Sequence, residues 1–227
     1  MSRQPIPNVL AARYASVPMT EIWAPENKVR LERQLWIAVL KAQRELGIDV
    51  PDDAVSAYEA AADDVDLASI AERERVTRHD VKARIEEFNA LAGHEHIHKG
   101  MTSRDLTENV EQLQIRQSLL LIRDKAVATL ARLAELAVQN DEVALTGRSH
   151  NVAAQMTTLG KRFATFTDEL LTAFDRLESL LDRYPLRGIK GPVGTSQDML
   201  DLVGGDAARL GELEAKVAEH LGFDRVL

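Results

Sequence analysis

A long run without glycine or proline most constrains what this chain can fold into. Residues 103–145 contain neither residue, and a continuous helix of that length would reach roughly 60 Å. Apolar residues recur along it at helical spacing, on one face. They are Leu119, Ile122, Ala126, Leu130, Leu133 and Ala137. A helix this long needs long partners to cover its apolar face.

A second long helix is predicted over residues 153–184, ending before Pro185. Its apolar stripe is Met156, Leu159, Phe163, Phe166, Leu170, Phe174, Leu177 and Leu181. Gly160 interrupts this run at a cost of about 1 kcal/mol relative to Ala, which indicates close packing or a nearby ligand. Two such helices cannot easily cover each other's stripes. The sequence therefore predicts an oligomer, or a bundle that this chain does not complete.

Shorter helices are predicted on either side, each with a start or stop signal. Pro25 suits a first helical turn, Gly47 stops that helix, and Asp66 caps a later one. Further signals are Pro51, Asp80, Gly93 and Asp206. Residues 1–24 contain three prolines and are expected to be irregular. No segment alternates with a period of two, so we predict an all-α fold.

Two domains are expected. Residues 1–105 would form a small helical N-terminal domain. Residues 106–227 would form the first part of a central domain of long helices, which is incomplete here.

Composition narrows the function classes. The net charge of −8 argues against a general nucleic-acid or anionic-membrane binder. The absence of cysteine excludes thiolate chemistry and suits a cytoplasmic protein. The longest aliphatic run, residues 119–122, is too short to cross a membrane, and the N-terminus lacks the apolar core of a signal peptide. No phosphate-binding glycine loop and no HExxH motif is present, so we expect neither a cofactor nor a metal.

Three polar segments interrupt the helical pattern: TRHD at 77–80, HEHIHKGMTSRD at 94–105 and GRSH at 147–150. The first could be only a helix cap, and the alternating histidines of the second could suggest a metal site. Thr102 and Ser103 could cap the long helix, or could bind an anion at its positive end. His150, beside Arg148 and Ser149, is a candidate for acid–base work on an anionic substrate. Because a long helix separates Ser103 from His150, a shared active site would need different subunits.

Seven segments, in order, resemble the adenylosuccinate lyase family of the fumarase/aspartase superfamily. They are RYAS at 13–16, IWAPENK at 22–28, RHDVKA at 78–83, IHKGMTSRD at 97–105, GRSH at 147–150, TTLGKR at 157–162 and GIKGPVGT at 188–195. GRSH or TSxD alone would indicate only the superfamily. The early RY, the HDV and the IHxGxTSxD together are more specific for adenylosuccinate lyases.

The resemblance implies a C–N lyase of purine nucleotide biosynthesis with small-molecule substrates. It would eliminate fumarate from adenylosuccinate, giving AMP, and from succinylaminoimidazole carboxamide ribotide. Family members are homotetramers with a shared core of long helices, and each active site draws on three subunits. The resemblance also assigns roles. His150 would be the general acid, with Ser149 beside it, and His79 would lie near the phosphate or assist the acid. The other implied substrate-binding residues are Arg13, Tyr14, Arg78, Asp80, His98, Thr102 and Ser103, the last two at the succinyl carboxylate.

The chain also departs from the family pattern. Val152 stands where a glutamine is usual, Ser149 replaces a threonine, and Asn109 stands where a threonine is common. Family members are much longer, and their flexible loop with its catalytic serine base is expected to follow residue 227. We therefore expect residues 1–227 alone to be inactive. Two alternatives stay open: another lyase of the superfamily, such as an argininosuccinate lyase or a carboxymuconate cycloisomerase, or a helical scaffold that has lost catalysis.

Overall fold

A computed structural model describes residues 8–227, which form ten α-helices and one β-hairpin. The helices are α1 (Val9–Arg13), α2 (Val17–Ile22), α3 (Pro25–Glu45), α4 (Asp52–Ala60), α5 (Leu67–Thr77), α6 (Asp80–Ala92), α7 (Ser103–Gln139), α8 (Leu159–Asp182), α9 (Gln197–Leu202) and α10 (Ala207–His220). The antiparallel hairpin consists of β1 (Ala144–Ser149) and β2 (Val152–Thr158). The all-α class is confirmed, with this hairpin as a local exception.

The start and stop signals act as predicted. Pro25 lies in the first turn of α3. The Asp66 side chain accepts the backbone N–H groups of Ala68 and Ser69 at the start of α5. Gly93 closes α6 in the left-handed conformation, and the Asp206 side chain caps α10.

The expectation of irregular structure over residues 1–24 was wrong for α1 and α2. Asn8 caps α1, because its side-chain oxygen accepts the N–H groups of Leu10 and Ala11. Pro18 does not interrupt α2, because it lies in the first turn, where a missing N–H costs nothing. The part of this expectation that concerns residues 1–7 lies outside the described residues.

Both long helices are shorter than predicted. α7 ends at Gln139 rather than at residue 145, and α8 begins at Leu159 rather than at 153. The intervening residues form the hairpin, most of which is exposed on both faces. A strand with no buried face has no reason to alternate apolar and polar residues, so periodicity could not reveal it.

By contacts the chain divides into two compact units. The first comprises residues 8–117 together with Tyr184–Leu227. Its core contains the largest fully buried apolar side chains, contributed by α3, α4, α6, the start of α7, the segment after Tyr184, α9 and α10. They are Leu31, Leu35, Trp36, Leu40, Tyr58, Phe88, Leu106, Leu186, Ile189, Met199 and Leu213. The domain boundary after residue 105 stays a prediction.

Within this unit, Arg33 of α3 joins three elements from a fully buried position. Its guanidinium donates to both carboxylate oxygens of Glu87 on α6, at 2.8 and 2.7 Å. It also donates to the carbonyls of Ala61 and Asp64, which follow α4. A bidentate pair of this kind satisfies two charges that would otherwise be costly to bury.

The second unit comprises Ser118–Arg183. It contains the rest of α7, the hairpin and α8. The residues of the two predicted stripes are half-buried at most, and Ile122, Met156 and Phe166 are exposed. Within the described part of the single chain, the two helices therefore leave apolar surface uncovered.

Gly160 lies where α8 begins, directly against the end of α7. A Cβ atom there would come 2.3 Å from the carbonyl oxygen of Ala137 and 2.7 Å from the backbone of Asp141. The Gly160 N–H donates to the carbonyl of Asn140 at 2.8 Å. Of the two explanations that the sequence left open for this glycine, the close-packing one is confirmed.

We expect Gly160→Ala to lower the free energy of unfolding by about 2 kcal/mol, because the added methyl group meets backbone that cannot move away easily. Urea denaturation measures this change. Gly211→Ala in α10 is the matched control, since a Cβ there meets nothing within 4 Å. It should stabilise the chain by roughly 0.5 kcal/mol. Equal stability of the two variants would contradict the close-packing argument.

Candidate functional site

The N-terminus of α7 is organised by Asp105, which is fully buried. One carboxylate oxygen accepts the backbone N–H groups of Lys190 and Gly191, at 2.8 and 3.0 Å, and the Arg187 guanidinium at 2.7 Å. The other oxygen accepts the N–H of Thr102 at 2.9 Å. One side chain thus joins the loop before α7 to the glycine-rich segment 187–191.

The cap of α7 differs from the one considered in the sequence. The N–H of Thr102, the residue before the helix, is held by the Asp105 carboxylate. The Thr102 hydroxyl oxygen is buried and has no hydrogen-bond partner among the described residues. Ser103 is the first helical residue and is half-buried. The Thr102 hydroxyl is therefore a buried polar group without a partner, beside the first N–H groups of a 37-residue helix, which have no partner within the helix.

Asn109, noted above only as a departure from the family pattern, has a structural role. Its side chain is fully buried. The amide nitrogen donates to the Gly188 carbonyl at 2.9 Å, and the amide oxygen accepts the Gly188 N–H at 2.9 Å. A threonine carries its donor and its acceptor on a single oxygen and cannot reproduce this two-atom pairing. Asn109 and Asp105 therefore fasten the same segment to α7, one helical turn apart.

His98 lies in the loop before α7 with a positive φ of 67°. Its Nδ1 accepts a hydrogen bond from the indole N–H of Trp36 at 3.0 Å. Burial lowers the pKa of His98 from 6.5 to about 4, an effect that the nearby Asp105 carboxylate opposes and nearby His79 reinforces. His98 is consequently neutral at physiological pH and carries its proton on Nε2.

The segment 78–80 connects α5 to α6. Arg78 ends α5 in the left-handed conformation, and the His79 ring caps α6, because its Nδ1 accepts the Lys82 N–H at 3.2 Å. The capping explanation for this motif is therefore correct, and it leaves Nε2 of His79 free. Burial alone would raise the pKa of Asp80, but the Val81 N–H and the Arg84 guanidinium outweigh it and hold that pKa below its usual range.

A buried acid supports this segment from α3. The Glu32 side chain is fully buried, and its carboxylate lies 2.8 Å from Nε of Arg84, which also donates to Asp80. The Arg84 Nε is poorly aligned, and neither Glu32 oxygen has a hydrogen bond to the described residues. Burial raises the pKa of Glu32 from 4.5 to about 7, although Arg84 opposes the shift.

His150 lies at the tip of the hairpin in the second unit. Ser149 pairs with Val152, and the two residues between them, His150 and Asn151, both have positive φ, at 48° and 63°. Two positive φ values in a two-residue hairpin loop are the pattern of a type I′ turn. The hairpin thus presents an exposed imidazole at its end.

Three cations lie beside this hairpin. Arg148 of β1 and Lys161 and Arg162 of α8 line a cavity of about 390 Å³, together with Gln155. The GRSH and TTLGKR motifs, which are separate in the sequence, therefore share one surface of the second unit. A concentration of cations of this kind favours an anionic ligand.

The described structure does not bring all predicted site residues together. His79, His98 and the start of α7 lie near one another in the first unit, since His79 and Asp105 both affect the pKa of His98. Ser149 and His150 belong to the second unit. Arg13 and Tyr14 end α1 on the surface, where Tyr14 is 75 % exposed.

Residues 8–227 have two further properties that bear on the site. No group of three or more His, Asp or Glu side chains has the geometry of a metal site. The alternating histidines have other contacts: Nδ1 of His98 is bound to Trp36, and Nδ1 of His96 lies 3.1 Å from the Lys99 ammonium. None of the described helices has the length and apolarity to cross a membrane.

Comparison with known proteins places this geometry in a family. A family model described as "Lyase" matches residues 13–215, which include all seven motif segments from RYAS to GIKGPVGT. The chain belongs to this lyase family. A curated relative, the adenylosuccinate lyase of Caenorhabditis briggsae, is 34 % identical over 222 residues. The alignment covers 95 % of the lyase chain and 46 % of the relative. The resemblance that the motifs indicated is confirmed, and the lyase chain spans about half the length of the curated relatives it matches.

Solved structures agree on the fold. A fumarate lyase from Mesorhizobium sp. BNC1 superposes with a TM-score of 0.80 at 24 % identity, over 93 % of the lyase chain and 49 % of that protein. A 3-carboxy-cis,cis-muconate lactonizing enzyme from Pseudomonas putida gives a TM-score of 0.81 at 22 % identity. This second alignment covers 96 % of the lyase chain and 50 % of that enzyme. Similarity at this identity supports the helical architecture and not a substrate.

Several residues at the site were missed by sequence reasoning. Asp105 was quoted within TSRD but received no role, and Trp36, Glu32 and Arg84 lie inside ordinary helical patterns. Asp105 offered a signal, because an acid at the third helical position is a common partner for the capping residue's N–H. The other three became visible only through long-range contacts.

We expect Asp105→Asn to lower the free energy of unfolding by about 3 kcal/mol. The amide would direct a donor at backbone N–H groups and would leave Arg187 with Glu108 alone as its counter-charge. Urea denaturation gives the value. The control is Glu111→Gln, an exposed acid on the same helix, which should change stability by less than about 0.5 kcal/mol. A small effect of Asp105→Asn would contradict its organising role.

A pH-dependent prediction follows from Glu32. Its pKa in the folded state, about 7, exceeds the ordinary value of 4.5. The folded state therefore keeps a proton that the unfolded chain releases. The contribution of this group to the free energy of unfolding should fall as pH rises from 4.5 to 7, by up to about 3 kcal/mol.

Glu32→Gln should remove that contribution, and the measurement is urea denaturation of both proteins at several pH values. Glu26→Gln, an exposed acid on the same helix, should keep the wild-type slope. If the Glu32→Gln and wild-type profiles run parallel from pH 4.5 to 7, the buried-acid interpretation is wrong.

Proposed function

We propose that this chain is part of an adenylosuccinate lyase of purine nucleotide biosynthesis. The reaction is the β-elimination of fumarate from adenylosuccinate, giving AMP, and from succinylaminoimidazole carboxamide ribotide. We place the enzyme in the cytoplasm, as a homotetramer acting on small molecules without a cofactor.

The observation that carries the proposal is the start of α7. The Thr102 hydroxyl is buried without a partner, next to the free N–H groups and positive dipole end of a long helix. That combination favours a carboxylate, and the succinyl group of both substrates carries two. The neutral His98 adds a further hydrogen-bond donor in the same region, because its Nε2 is protonated.

The proposed roles follow the chemistry of elimination. A base removes the proton from the succinyl carbon next to a carboxylate, the C–N bond breaks, and an acid protonates the departing nitrogen. We assign the acid to His150. Thr102 and Ser103 bind the succinyl carboxylate, whose charge grows in the transition state. His79 assists near the phosphate. The remaining substrate contacts are assigned to Arg13, Tyr14, Arg78, Asp80, His98 and Ser149.

The active site is proposed to form between subunits. The sequence separates Ser103 from His150 by a long helix, and the exposed apolar residues of α7 and α8 (Ile122 and Phe166 among them) provide a surface for other copies. On this proposal His150 of one subunit serves the α7 N-terminus of another. Activity would then require the oligomer.

Two other functions are weighed against this one. A lyase acting on a different polycarboxylate would use the same GRSH and TSRD segments, and the fold is shared with a muconate lactonizing enzyme. A scaffold without catalysis would have no need for the free Thr102 hydroxyl or the exposed His150. Assays with argininosuccinate, carboxymuconate and adenylosuccinate distinguish this first alternative from an adenylosuccinate lyase.

The test uses the product of the complete reading frame that encodes this chain, with fumarate release as the measurement. His150→Ala should lower kcat/KM for adenylosuccinate by roughly 100-fold or more, the range for loss of a general acid. His79→Ala should also be impaired. Mixed oligomers of the two variants should regain part of the activity, because some sites then contain both native histidines.

His220→Gln serves as the control, since His220 pairs with Glu45 on α3 and should not affect turnover. Full activity of His150→Ala would refute the assignment of the acid. Failure of mixed oligomers to regain activity would refute sites shared between subunits. If the wild type converts argininosuccinate or carboxymuconate but not adenylosuccinate, the chain belongs to another lyase of the superfamily.

A further inference from the structure

The indole of Trp36 makes a buried polar contact at the candidate site that the proposed roles leave unused. Trp36 is 1 % exposed in the middle of α3. Its Nε1–H donates to Nδ1 of His98 at 3.0 Å. The two rings meet edge to face, with centroids 6.0 Å apart. The contact is therefore both a hydrogen bond and a packing interaction.

The donor and the acceptor of this hydrogen bond cannot exchange roles. An indole N–H can only donate, so Nδ1 of His98 must present a lone pair. The proton of the neutral ring then lies on Nε2. Protonating Nδ1 would set two N–H groups against each other and would leave the buried indole donor unsatisfied, which is costly.

The loop that carries His98 is also fixed by its neighbours. Gln43 of α3 donates to the Lys99 carbonyl at 3.1 Å. A Cβ at Gly100 would lie 3.0 Å from the sulfur of Met199, which is fully buried. The loop is thus held by two residues of α3, Trp36 and Gln43, and by the buried Met199. These contacts fix the position and the orientation of the His98 ring.

We propose that Trp36 is a positioning residue that holds His98 in its Nε2–H tautomer, so that His98 serves the site as a neutral hydrogen-bond donor and not as an acid or a cation. The inference rests on the proposed function only for the identity of the ligand, an anionic group of the substrate. The tautomer itself is a property of this chain alone.

Nearby charges also bear on the ring. Asp105 of α7 favours the protonated ring, whereas burial and His79 at the start of α6 disfavour it. Burial is the largest of these effects, and the neutral form prevails with a pKa of about 4. The Trp36 bond decides which nitrogen of that neutral ring keeps the proton.

The first experiment uses the ¹⁵N-labelled 227-residue chain and long-range ¹H–¹⁵N correlation of its imidazoles, with His98→Asn for assignment. We expect the Nε2–H tautomer for His98 from pH 5 to 8. A scalar coupling between Trp36 Nε1 and His98 Nδ1 should also be present. An Nδ1–H tautomer, or a coupling that is absent from a well-resolved spectrum, would overturn the proposal. This measurement needs no variant of Trp36.

The second experiment is Trp36→Phe, which keeps an aromatic ring and removes the N–H. Both tautomers of His98 should then be populated, and its titration midpoint should move from about 4 toward the ordinary 6.5. Trp23→Phe is the matched control, because Trp23 is 48 % exposed, and it should leave His98 unchanged. An unchanged tautomer in folded Trp36→Phe would overturn the role of the indole.

The activity measurement uses the product of the complete reading frame. His98→Asn keeps an acceptor for Trp36 but lacks Nε2–H, so KM should rise at least several-fold with a smaller change in kcat. In Trp36→Phe, the plot of lyase activity against pH should show an additional inflection near the new titration midpoint of His98. A wild-type KM in His98→Asn would refute the donor role. Absence of lyase activity in the wild type would refute the proposed function and leave the tautomer result standing.

Discussion

The Asp105 carboxylate is the interaction on which the first unit depends. A buried charge is tolerable only when every lone pair is used, and here one arginine and three backbone N–H groups use them. The contacts join residues more than eighty positions apart in the chain. The same carboxylate accepts the backbone N–H of Thr102, and the Thr102 hydroxyl beside it is buried without a partner among the described residues. The contacts of Asp105 that stabilise the fold therefore also shape the start of α7, where an anion is proposed to bind.

Helix formation could be predicted because its signals are local. Proline in first turns, Asp66 and Asp206 at caps and Gly93 at an end each act within a few residues. The hairpin could not be predicted, since neither of its faces is buried and its residues follow no alternation. Sequence motifs identified the candidate histidines. Their protonation, however, depends on long-range neighbours such as Trp36, which periodicity does not reveal.

Two buried groups near the site have opposite effects on the free energy of unfolding over a similar pH range. In the folded state the pKa of Glu32 is raised to about 7, and the pKa of His98 is lowered to about 4. On acidification the first group favours the folded state, because it binds a proton there more tightly than in the unfolded chain. The second disfavours it, because the unfolded chain binds that proton more tightly. The two contributions partly cancel, so a flat stability profile of the wild type would conceal both.

Two of the candidate histidines, His98 and His150, adopt left-handed backbone conformations. Few residues other than glycine accept this geometry, and asparagine is foremost among them. Asparagine is also a neighbour of histidine in the genetic code. Drift at either position would therefore pass most easily through a residue that keeps the turn intact. In this architecture, a histidine at either position can therefore be lost in evolution while the turn that carries it persists.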